Sequence, residues 1–304
     1  MKKSCSYQPH LIKKLEDKFG ELVRDIRKSN LPTALCPNLM RLENDDELIN
    51  TNLQEQYRSG AGMLLYQINY TRPDIANVVR EYSKMTDKAT SLHSKTLLKL
   101  IKYLLDTKNK GSRMNPRINR DKLIEGYSDS DYAGDMDTRR SIARLVTFLY
   151  GLPTLWRSKG QKAVALSTTE RKYYAMSGLS AELIYIKQIL EFLNVQVSYP
   201  MIVRVGTVEA IFLANNPAFS QWTKHILVRH NFIREHVVNW LIKTIFVKSN
   251  LNTADMFTKN LSQELLFRYS TNIMNRMIES EDDTKNKVTH EKEDVKKWTI
   301  CGYF

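Results

Sequence analysis

The chain has 304 residues, with 46 Lys+Arg against 33 Asp+Glu, a formal net charge of +13. That length suggests about two domains at roughly 100–200 residues each, and a hydrophobic share of 42% excludes a wholly disordered chain. Cys5, Cys36 and Cys301 form no CxxC pair, which excludes a disulfide scaffold and a thiolate zinc site.

No apolar run approaches the ~18 residues of a membrane span. The opening MKKSCSYQPHLIKKL lacks a signal-peptide core. The expectation is an intracellular protein, cytoplasmic or nuclear, with no membrane partner. Residues 1–120 hold 22 Lys+Arg and 13 Asp+Glu, a net of +9, so most of the excess charge lies early in the chain. Such an excess is compatible with nucleic acid.

QPHLIKKLEDKFGELV reads as a first helix, with Leu11, Ile12, Leu15 and Phe19 in period. Residues 29–56 read as a long polar loop. A helical block follows over 57–107, broken once at Arg72-Pro73-Asp74, where proline disfavours helix for the residue before it. Within it, Leu97, Leu98, Ile101, Leu104 and Leu105 share an apolar face. Lys95, Lys99 and Lys102 share another face, which could track a phosphate backbone or simply be solvated. Gly, Pro and four basic residues at 111–122 mark a linker.

Three short strands come next, at 123–133, 141–150 and 153–158. A long helix spans about 168–193, opened by a Ser167-x-x-Glu170 capping box. A fourth strand at 201–206, helices at 208–215 and 225–239, a fifth strand at 242–249 and a helix from near Thr253 complete the order. From Glu279 to Lys297 the chain is a charged tail poor in large apolar residues.

The stretches QPHLIKKL, YRSGAGMLLY, TRPDIANVV, LIKYLLDTKNKG, GYSDSDYAGD, DTRRS, WRSKGQKAVALSTTE, AIFLANNP, TKHI, FIRE and TADMFTKNL occur in this order over about residues 7–265. With them the chain resembles the C-terminal part of the Pol polyprotein of copia-type LTR retrotransposons. The resemblance implies an α/β fold: a ribonuclease H-like five-stranded mixed sheet with flanking helices, preceded by a mainly helical thumb/connection domain. The implied division is 1–110 helical, 111–122 linker, 123–265 ribonuclease H-like, and 266–304 a C-terminal extension with the charged tail. No Tyr-x-Asp-Asp stretch occurs, so polymerase activity is not expected of the chain.

Ribonuclease H hydrolyses the RNA strand of an RNA–DNA hybrid with two Mg²⁺ ions held by converging carboxylates. The resemblance implies four acidic positions. Asp129 and Asp255 match two of them as catalytic, metal-binding residues. The other two are occupied by Lys172, where Thr-Glu-Ala-Glu-Tyr has become Thr-Glu-Arg-Lys-Tyr, and by Gly206. An ammonium opposes two divalent cations. Glu170, on another side of the helix, and Glu209, three residues beyond Gly206, are poor replacements. The site is therefore expected to be degenerate, and Mg²⁺ is the cofactor only if it is active. Lys172 could pair with Asp129 in place of the metal, or lie exposed at the mouth of a dead site.

Arg157, Lys159 and Lys162, beside Trp156, form a second basic strip that could meet nucleic acid or be solvated. His225, His230 and His236 lack the companions of a zinc site. Asp131, Asp135 and Asp137 read as a solvated turn. The expected function is RNA–DNA hybrid or other nucleic-acid association. A working Mg²⁺-dependent hybrid ribonuclease and a domesticated protein-binding adaptor are the alternatives.

Overall fold

The computed structural model describes residues 5–6, 8–32, 47–113, 124–131, 141–161, 167–216, 224–257 and 261–274. Helix α1 (Pro9–Phe19) starts on a proline, whose missing N–H would be unpaired at that position anyway. It buries Ile12, Leu15 and Phe19 against α2 (Thr51–Tyr70) and α4 (Ser91–Asp106). Helix α2 starts ahead of the expected residue 57 because the Asn50 side chain accepts the Leu53 N–H at 2.9 Å, a strong N-cap. Proline breaks the block as expected, giving a 3-10 turn at Pro73–Ile75 before α3 (Ala76–Ser83). A second break follows at 84–90, where Thr90 and His93 cap α4 reciprocally.

The Arg72-Pro73-Asp74 break is also the polar centre of this block. Arg72 and Asp74 are each 1% exposed and paired at 2.8 Å. Tyr103 donates to Asp74 at 2.8 Å, and Arg72 donates to the Thr107 hydroxyl at 2.9 Å. Burial alone would raise the Asp74 carboxyl, but the Arg72 guanidinium outweighs it and holds the group below the usual carboxylate range. The network ties the 3-10 turn to the end of α4. Strand β2 (Ser112–Arg113), in the expected linker, pairs antiparallel with β1 (Cys5–Ser6).

Strands β3 (Ile124–Asp131), β4 (Ile142–Leu149) and β5 (Leu152–Gly160) form the expected meander. Its second hairpin turns on Tyr150 and Gly151, both with positive φ, the conformation a two-residue hairpin demands. Helix α5 (Thr168–Phe192) crosses to β6 (Met201–Val205), which lies parallel to β3. Helices α6 (Val208–Asn215) and α7 (Lys224–Val238) then lead to β7 (Ile242–Phe246), parallel to β6. The sheet order β5-β4-β3-β6-β7 is the mixed five-stranded, ribonuclease H-like arrangement.

One face of the sheet packs on α5 through Tyr173, Met176, Leu179 and Leu183. Gly126 permits that approach, since a Cβ there would meet Leu179 Cδ1 at 2.5 Å. The other face packs Val146 and Phe148 against Ala76 of α3, Phe257, and Leu266 and Ile273 of α8 (Gln263–Ile273). The Trp156 indole donates to the Ile68 carbonyl across the same seam. The helix expected from Thr253 is a short 3-10 turn, Thr253–Phe257. Among the described residues no helix is long and apolar enough to cross a membrane.

Candidate functional site

Strand β3 alternates, so Asp129 and Asp131 project from the sheet face opposite α5, alongside Tyr127. Asn252 fixes the 3-10 turn beneath them: its amide donates to the Ser128 carbonyl at 3.1 Å, and its Oδ1 accepts the Ala254 N–H at 3.2 Å. Asp255 sits in that turn and accepts from the Ser249 hydroxyl at 2.6 Å. The buried Tyr269 of α8 senses both carboxylates. Burial pushes its phenol up first, Asp255 adds to this, and Asp129 contributes a little more.

The two substituted positions meet each other. Lys172 Nζ donates to the Gly206 carbonyl at 3.0 Å. A Cβ on residue 206 would lie 3.8 Å from that same nitrogen. Lys172 makes no ion pair with Asp129, so that suggested pairing is corrected: the ammonium is satisfied at the end of β6. Nor is it simply exposed, since it is half-buried.

The cation at Asp129 is a different residue. Arg144 stands opposite Asp129 in the β3–β4 register, reaching Asp129 at 3.9 Å and Asp131 at 3.3 Å. Its side chain is 0% exposed. Burial lowers the guanidinium to about 10, against the raising effect of the two aspartates, and Arg80 of α3 lowers it further. Arg144 is thus still a cation at neutral pH. Sequence reasoning overlooked it, although a charged residue in the middle of the apolar run IARLVTFL was a signal. Asp131, expected to be solvated, is half-exposed and paired.

These residues do not fit a two-Mg²⁺ centre. Two of the four implied positions carry no carboxylate. A divalent ion about 4 Å from the guanidinium would be repelled by roughly 8 kcal/mol at an effective dielectric of 20. Among the described residues no group of three or more His, Cys, Asp or Glu is placed to hold a metal. Glu209 is exposed, with its carboxylate engaged by the Thr207 hydroxyl, and Glu170 is buried at the start of α5.

Of the basic positions, Lys95 and Lys99 are exposed on α4, while Lys102 is paired with Asp106 at 3.1 Å. Arg157 on β5 is held by Glu182 at 2.6 Å, and Lys159 is exposed. Lys162, Asp135, Asp137 and the His225 side chain lie outside the described residues. His230 is buried, with Nε2 2.9 Å from the Leu213 carbonyl, and His236 Nδ1 is 2.7 Å from the Phe232 carbonyl. Both serve helix packing.

No protein-family model matches the chain. It is 36% identical over 253 residues to the retrovirus-related Pol polyprotein from transposon TNT 1-94 of Nicotiana tabacum, covering 80% of this chain and 19% of that protein. It is 31% identical over 218 residues to the retrovirus-related Pol polyprotein from transposon RE1 of Arabidopsis thaliana, covering 72% of this chain and 15% of that protein. A solved foamy viral protease-reverse transcriptase in complex with dsDNA is similar over 66% of this chain and 42% of its own, at 10% identity and a TM-score of 0.39. The chain therefore spans less than a fifth of the length of these two polyproteins, and by its sequence it belongs to the copia-type retrovirus-related Pol polyproteins of transposons.

Proposed function

We propose that this chain is a Pol-derived module that associates with RNA–DNA hybrid or related nucleic acid and does not cut it. The observation that carries the reading is the Lys172 ammonium on the Gly206 carbonyl, 3.0 Å away, where two carboxylates would have to converge on metal. Without them the hard cation loses half of its implied anionic oxygens. The association half of the reading draws on the net charge of +13 and on the exposed Lys95, Lys99 and Lys159. Phosphate contacts of this kind are sequence-independent and release counterions.

The test is fluorescence anisotropy with a labelled RNA–DNA hybrid over a series of salt concentrations. Affinity is expected to fall steeply with salt, by a log–log slope of roughly −0.9 per phosphate contacted on a B-form duplex. Binding that ignores salt, or no binding near physiological ionic strength, favours the protein-adaptor alternative. Shortened RNA in the same samples on adding Mg²⁺ favours the nuclease alternative.

A further inference from the structure

We propose that Arg144 is an internal cation that takes over the charge-balancing place of a divalent metal, leaving Asp129 and Asp131 without affinity for Mg²⁺. The antiparallel register sets its side chain opposite Asp129, on the face both aspartates share. From there the guanidinium reaches 3.3 Å from Asp131 and 3.9 Å from Asp129. It is the more enclosed partner: Arg144 is 0% exposed, Asp129 18% and Asp131 39%.

Two carboxylates that share one face of a strand disfavour each other's charge unless a cation faces them. In a metal site that cation is Mg²⁺, which must also keep its octahedral oxygens and several waters. A guanidinium anchored on β4 delivers the charge covalently, needs no free ion, and excludes a hydrated one from the same volume. Arg80 of α3, itself ion-paired with Glu81, adds only a small positive influence from the facing helical block. Lys172 is not involved, being held at Gly206. This role for Arg144 builds on the non-cutting reading, yet it concerns metal affinity in the absence of nucleic acid, so the two can fail separately.

The experiment uses the full chain without nucleic acid. Thermal unfolding is followed in EDTA and in millimolar Mg²⁺, and Mn²⁺ binding is read from the electron paramagnetic resonance signal of the free ion. Wild type is expected to unfold at the same temperature in both buffers and to bind no Mn²⁺. Arg144→Met leaves Asp129 and Asp131 partly solvated but without a counter-charge, and should lower the folded-to-unfolded ratio about tenfold. Mg²⁺ should recover part of that loss, and Asp129→Asn with Asp131→Asn should recover it without metal. Should Arg144→Met alone fail to fold, the wild-type titration and the triple variant still decide. Saturable Mn²⁺ binding by wild type that Asp129→Asn abolishes would overturn the proposal. So would an Arg144→Met chain as stable as wild type. A chain that binds Mn²⁺ but leaves hybrid intact fails here alone.

Discussion

An aspartate returned to position 206 is expected to pair with Lys172 rather than to open a metal site. A Cβ there meets nothing closer than Lys172 Nζ, Asn252 Nδ2 and the Val247 carbonyl, all at 3.8 Å, so the Cβ of Gly206→Asp is accommodated in ordinary contact with the Lys172 ammonium beside it. One unit charge on each side at about 4 Å is worth roughly 4 kcal/mol at an effective dielectric of 20. Desolvation of both groups and loss of the Lys172 bond to the backbone carbonyl offset most of this, leaving a net gain of about 1 kcal/mol. Replacing glycine at a negative φ adds about 0.5 kcal/mol through the unfolded chain. Urea unfolding of wild type, Gly206→Asp, Lys172→Met and the double variant isolates the pair term. Its value should be about 1 kcal/mol at low salt and shrink in concentrated NaCl. A coupling of zero, or a Mg²⁺-dependent gain in Gly206→Asp alone, refutes the reasoning.

Asp74→Asn should destabilise the helical block by about 3–5 kcal/mol in urea unfolding, because Arg72 stays buried without its counter-charge. The sign of the pH effect follows from the lowered Asp74 carboxyl. Its stabilisation is whole above an unfolded carboxylate value of about 3.9 and is lost only as the pH falls through the lower folded value. Acid unfolding of the Asp74→Asn chain should therefore lack this step. Lys95→Glu with Lys99→Glu should weaken hybrid binding and flatten its salt slope. Lys102→Glu alone should do less in the same titration, since Asp106 already occupies that ammonium.

The sheet was legible because its strands alternate or run apolar between turn signals, and helix α5 because Tyr173, Met176, Leu179 and Leu183 repeat at helical steps. The start of α2 was not, since Asn50 caps it from within a polar stretch where loop and cap use the same residues. The lost acidic positions could be read one residue at a time from motif order. Their consequence could not. Whether Lys172 turned toward Asp129 or Gly206 depends on how β6 and α5 pack. The pairing of Arg144 with Asp129 depends on a hairpin register that spacing alone leaves open. Nor did composition show that Trp156, read as part of a basic strip, spends its indole on the Ile68 carbonyl.

The most direct test of the central claim is a cleavage assay on an RNA–DNA hybrid with labelled RNA, in Mg²⁺ and in Mn²⁺. Wild type is compared with a chain carrying Arg144→Gly, Lys172→Glu and Gly206→Asp together. Wild type should leave the RNA intact while still binding the hybrid. The triple variant, with carboxylates restored and the internal cation removed, should produce metal-dependent cuts. Cleavage by wild type that disappears in Asp129→Asn would contradict the account.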